Sequence, residues 1–146
     1  MKRLLVFLGA LLLLAAGCSD YDTEHPDTKS NRKLFSNLTG VKADAGIREV
    51  YAYADELGFD AHYCLAFKAT PEAVERIVKK MKLVKKDRVK DWSLWSDGPT
   101  HDWLPWWNIK ERESSNLYHK EVEQKEVNFL WHDPKTGKCR LLVMGL

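Results

Sequence analysis

Chemistry in a chain of this size must come from its histidines, cysteines, serines and tryptophans, so their spacing is the first thing to weigh. The histidines are His25, His62, His101, His119 and His132. None has another two, three or four residues away, so no strand or helical metal clip exists. His62-Tyr63-Cys64 puts two ligand types on one strand face, too few for a zinc site. His101-Asp102 and His132-Asp133 are sequence neighbours, which does not orient a carboxylate onto an imidazole. Ser114 and Ser115 lack the Gly-x-Ser-x-Gly elbow of a nucleophilic serine, and no glycine-rich phosphate loop occurs. Asp133 to Gly137 lacks the alternating oxygen ligands of a cation loop and reads as a hairpin turn. No catalytic residue, metal site or cofactor is expected.

Tryptophan supplies the one candidate site. Trp92, Trp95, Trp103, Trp106 and Trp107, five of the six in the chain, fall within 16 residues. Such a segment either roofs a small sheet or offers aromatic faces to a sugar ring or a protein partner. Trp103, Trp106 and Trp107 are the candidate binding residues. Trp106 and Trp107 are adjacent and follow Pro105, so an extended backbone would send their rings to opposite sides.

The cysteines are Cys18, Cys64 and Cys139. Cys64 and Cys139 fall in strand-like runs and are either a candidate disulfide, formed outside the cytoplasm, or two buried thiols. Tyr63, Leu65 and Phe67 read as the core face of their strand, which puts Cys64 on the other face.

Cys18 has a different role. Residues 1–18 read MKRLLVFLGALLLLAAGC, with a basic start at Lys2 and Arg3, an apolar run and a small-residue end. The run from Leu4 to Ala16 is 13 residues, short of the ~20 a spanning helix needs. Ala15-Ala16-Gly17-Cys18 resembles the lipobox of bacterial lipoprotein precursors, with Ala15 where leucine is usual. The resemblance implies removal of residues 1–17 and a diacylglyceryl thioether, with N-acylation, on Cys18. Its sorting logic also implies an outer-membrane address where the source has one, because Ser19 rather than aspartate follows the cysteine. Otherwise the anchor lies on the outer face of the cell membrane.

The mature charge follows from that cut. The 146 residues carry 23 basic and 21 acidic side chains, and losing Lys2 and Arg3 leaves 21 against 21. A neutral chain gives no footprint for nucleic acid. The charged fraction of 30% and aromatic fraction of 11% fit a globular domain and exclude a disordered or polytopic membrane chain.

The elements that must position these residues follow from periodicity. Residues 18–38, rich in polar side chains, read as a lipidated N-terminus and flexible tether, followed by one α+β domain over 39–146. A flexible run of about 20 residues would span ~25 Å. Arg48 to Asp55 and Asp60 to Ala69 read as a β-hairpin turning near Gly58, in competition with a helix from Asp44 to Leu57. Thr70-Pro71-Glu72 opens a helix to about Leu83 whose apolar stripe is Val74, Ile77, Val78 and Met81. The lysines at and beyond its end (Lys79, Lys80, Lys82, Lys85, Lys86), with Arg88 and Lys90, either touch an anionic surface or complement the helix dipole. Asn116 to Val122, Val127 to His132 and Cys139 to Met144 read as strands. The expected fold is α+β, a small antiparallel sheet of about five strands (β-β-α-loop-β-β-β) with one amphipathic helix on a face. Thr70-Pro71-Glu72, Leu104-Pro105-Trp106-Trp107 and Trp131-His132-Asp133-Pro134 loosely resemble pieces of small uncharacterised bacterial envelope proteins, which implies no activity.

Three functions remain open from the sequence. The first is a membrane-anchored envelope lipoprotein binding an envelope protein or glycan through its tryptophan loop. The second is a structural or assembly lipoprotein without a ligand. The third is an envelope hydrolase, which would need a cleft joining His101, Asp102 or His119 to a nucleophile.

Overall fold

A computed structural model describes residues 21–56, 61–86, 104–107, 115–122 and 126–145. Helix α1 (Lys29–Thr39) precedes β1 (Ile47–Asp55) and β2 (His62–Ala69). Helix α2 (Pro71–Met81) and the short β3 (Val84–Lys86) follow, then β4 (Asn116–Val122), β5 (Glu126–His132) and β6 (Lys138–Gly145). The six strands form one antiparallel sheet in the order β1-β2-β6-β5-β4-β3. The fold is α+β, mostly sheet, as the periodicity implies.

The sequence expectation is corrected between residues 21 and 39, where an ordered strap and helix α1 replace the tether. Thr28 caps the helix by accepting from Asn31 N–H at 3.2 Å. Gly40 closes it at φ +65°, donating to the Ser36 carbonyl at 3.0 Å, a left-handed end that suits glycine. Leu34 and Phe35 are buried in the core, Phe35 edge-on to Phe67 with ring centroids 5.0 Å apart. Burying these two side chains outweighs the polarity of the rest of the helix.

The segment before the helix is pinned as firmly. Asn31, fully buried, accepts from Asp22 N–H at 3.0 Å and donates to the carbonyls of Asp22, His25 and Val50 at 2.8–3.2 Å. Asp27 N–H donates to Val50 O at 2.9 Å, and its carboxylate accepts from the backbone N–H of Glu49 and Val50.

Those last two bonds stabilise a β-bulge. The β1–β2 register shifts between Arg48 and Tyr51, with Glu49 at φ +55°. One extra residue resets the alternation, so Ile47, Val50 and Ala52 are buried while Tyr51 and Tyr53 face the other way. The hairpin displaces the competing helix over 44–57.

Helix α2 matches its expected face. Thr70 caps it, Pro71 begins it, and Ala73, Val74, Ile77 and Met81 are buried against the sheet. Arg76 reaches Asp44 with both guanidinium nitrogens at 2.7 and 3.1 Å, holding that carboxyl down at about 2. The α1–α2 face of the sheet carries Leu65, Phe67, Leu130, Leu141 and Val143.

Candidate binding groove at the tryptophan turn

The opposite sheet face is roofed by Leu104–Trp107. Pro105 lies within a turn closed by Trp107 N–H to Leu104 O at 2.9 Å, a position its fixed φ favours. Trp107 is 4% exposed and packs with Leu104, Phe129, Trp131, Leu142 and Met144. Trp106 is half-buried. The two rings meet edge to face at 6.2 Å, and it is this turn, rather than extended backbone, that separates their surroundings.

The rings form a continuous file across the sheet. Tyr51 stacks on Trp106 at 5.8 Å, and Trp107 meets Trp131 edge to face at 6.3 Å. Phe129 stacks on Trp131 at 5.5 Å and lies 5.3 Å from His119. Trp106 is locked further by Nε1–H donation to Thr23 O at 2.8 Å. Among the described residues, the buried Trp107 Nε1–H meets no acceptor, so its burial there is apolar in kind.

Beside Trp106 the sheet register assembles a groove. Tyr51 pairs with Ala66, Ala66 with Arg140, and Arg140 with Trp131. The small Ala66 leaves a trough between Tyr51 and Arg140 that opens onto Pro105 and Trp106. Arg140 Nε–H donates to Trp106 O at 3.2 Å. Lys138 and Lys68 pair in the next register row, and the bulge turns Glu49 onto Lys68 Nζ at 2.8 Å. Among the described residues, the groove thus has aromatic flanks and a wall formed by Lys68, Lys138 and Arg140 with Glu49.

No sequence motif marked Tyr51, Glu49, Lys68, Lys138 or Arg140, because strands distant in sequence bring them together. Arg140 inside the otherwise apolar run Cys139–Met144 was the available signal. Of the expected binding residues, Trp106 and Trp107 lie in this region, whereas Trp103 lies outside the described residues, as do Trp92, Trp95, Gly58, His101, Asp102, Ser114 and Cys18.

The disulfide expectation is corrected. Cys64 pairs with Leu142 and Cys139 with Phe67, three positions apart along the β2–β6 ladder. An odd offset places them on opposite sheet faces, and both are buried and outside any disulfide. Burial pushes the Cys139 thiol far above its ordinary range, so it is no ready thiolate.

The described histidines stand apart in role. His25 meets Asp22 at 3.0 Å on the surface, His119 packs on Phe129, and His132 is buried with its pKa lowered by desolvation. Among the described residues, no three His, Cys, Asp or Glu side chains converge as metal ligands. The Asp133 carboxylate is occupied within its own turn, accepting from Lys135 N–H and Thr136 Oγ1–H. The groove offers ring faces and cationic donors, which is recognition chemistry.

No family model, curated protein or solved structure matches this chain.

Proposed function

We propose that this protein is a lipid-anchored lipoprotein of the bacterial envelope whose domain is a non-catalytic binding module. Cys18 carries the anchor, and the trough beside Trp106 takes the ligand. The observation that supports this most is the pairing of a rigid Tyr51–Trp106 stack with Lys68, Lys138 and Arg140 around one open trough. Rings held in place offer a flat apolar surface at little conformational cost on binding. The adjacent cations suit an anionic substituent on the same ligand, either an acidic glycan or an acidic loop of an envelope protein. Trp106 and Arg140 also hold the roof in place, so the more informative variant is Lys138→Glu, at a half-exposed position. Immobilised native protein should retain envelope components from a detergent extract that Lys138→Glu loses, with little change in urea midpoint. An identical retained set for both proteins would remove the groove from the account and leave the structural-lipoprotein reading.

A further inference from the structure

Only Ser19 and Asp20 separate the expected lipidated Cys18 from the first described residue, Tyr21. A trans chain spans at most ~3.3–3.6 Å per residue, so Thr23 lies within about 18 Å of Cys18 whatever path the chain takes. Thr23 O in turn accepts from Trp106 Nε1 at 2.8 Å. The anchor point and the tryptophan turn are therefore neighbours by covalent geometry and one hydrogen bond.

The strap cannot lengthen this leash cheaply. Asp22, His25 and Asp27 are held through Asn31, Val50 and the bulge by the hydrogen bonds described above. A domain of this size is ~35 Å across, wider than the leash is long. It must therefore stand beside the bilayer that holds its acyl chains.

We infer, building on the lipoprotein reading, that the Pro105–Trp106 turn with the adjoining Thr23–Glu24 strap is a membrane-contact surface, seated on the phospholipid headgroups around the anchor. Among the described residues, the surface around this turn includes Thr23, Glu24, Tyr51, Pro105 and Trp106, with Pro105 exposed and Leu104 buried. Tryptophan and tyrosine are favoured at headgroup depth, where an apolar ring and a polar edge are both satisfied. The charges nearest the strap are the Asp22–His25 pair and Glu24, while Arg140, donating to Trp106 O, adds a cation on the groove side of the turn. Charges of both signs border the surface, which suits a zwitterionic headgroup. The lysines of α2 sit at the other end of α1: Lys80 lies against Gly40, one ~16 Å helix length from the strap. That separation makes Lys80 the reference position remote from the inferred contact surface.

The test uses full-length, lipidated protein in phosphatidylcholine vesicles containing a headgroup-level nitroxide quencher. An environment-sensitive fluorophore is attached through Pro105→Cys, Glu24→Cys or Lys80→Cys in separate preparations; Cys64 and Cys139 are buried. Fluorophores at 105 and 24 should be quenched several-fold more than the one at 80. The Glu24→Cys variant keeps the test valid if Pro105→Cys disturbs the turn. Equal quenching at all three positions, or stronger quenching at 80, in protein that carries fatty acid and sediments with vesicles overturns the contact surface alone. Protein that carries no fatty acid and stays in the supernatant overturns the anchor and this inference together.

Discussion

Asn31→Ala tests the strap where it is held most tightly. The side chain is fully buried and has two hydrogens and one carbonyl oxygen to offer. Its Nδ2 hydrogens are shared by three carbonyls and its Oδ1 takes Asp22 N–H. Three satisfied positions at ~0.5–1.5 kcal/mol each give about 1.5–4.5 kcal/mol. The groups left behind narrow that range. Val50 O keeps a second donor, Asp27 N–H, at 2.9 Å, while Asp22 is only half-buried, so water can reach its freed N–H. A loss of about 2–3 kcal/mol in urea unfolding is therefore expected. Asn31→Asp should be worse, because a carboxylate would face three carbonyl oxygens. Limited proteolysis should then open residues 21–28 before the sheet. A loss under about 0.5 kcal/mol in both variants, with no new cleavage, would mean that the strap is not fastened through Asn31.

Three further outcomes follow from the packing. Ile77, fully buried on α2, should lose about 2–5 kcal/mol as Ile77→Ala, while the exposed Lys80→Ala should change stability by less than about 0.5 kcal/mol in the same urea titration. Trp107→Ala should cost about 3–5 kcal/mol, but Trp107→Phe much less, since its Nε1 has no hydrogen bond to lose; equal losses would show a missed polar partner. His132 has its pKa lowered by burial, so the unfolded chain binds the proton more readily. Stability should therefore be intact above the unfolded value near 6.5 and fall as pH drops below it, and His132→Phe should flatten that limb.

The sequence made some parts of this fold legible and obscured others for identifiable reasons. Helix α2 was readable because its cap, its Pro71 start and its apolar stripe agree on one answer. Strands β5 and β6 were readable because the Asp133–Gly137 turn lies between two mostly apolar runs. The ambiguity at β1 is physical: the bulge at Glu49 steps the core positions from Ile47 to Val50, a three-residue interval that imitates a helix. Helix α1 was hidden by its polarity, although Thr28 and Gly40 stood at its two ends as cap signals. At Pro105 the separation of the two tryptophan environments came from a turn, not from the extended backbone the proline suggested. Beyond the single signal of Arg140 in an apolar run, the groove was not readable, because Tyr51, Lys68 and Arg140 meet only through the register of three strands.

The proposed anchor on Cys18 underlies both the proposed function and the inferred orientation on the membrane. Its most direct measurement is metabolic labelling with a fatty acid in a bacterial host, comparing the native chain with Cys18→Ser. The native chain should take up label and associate with membranes, and the variant should do neither. Label persisting in Cys18→Ser, or none in the native chain, would contradict it.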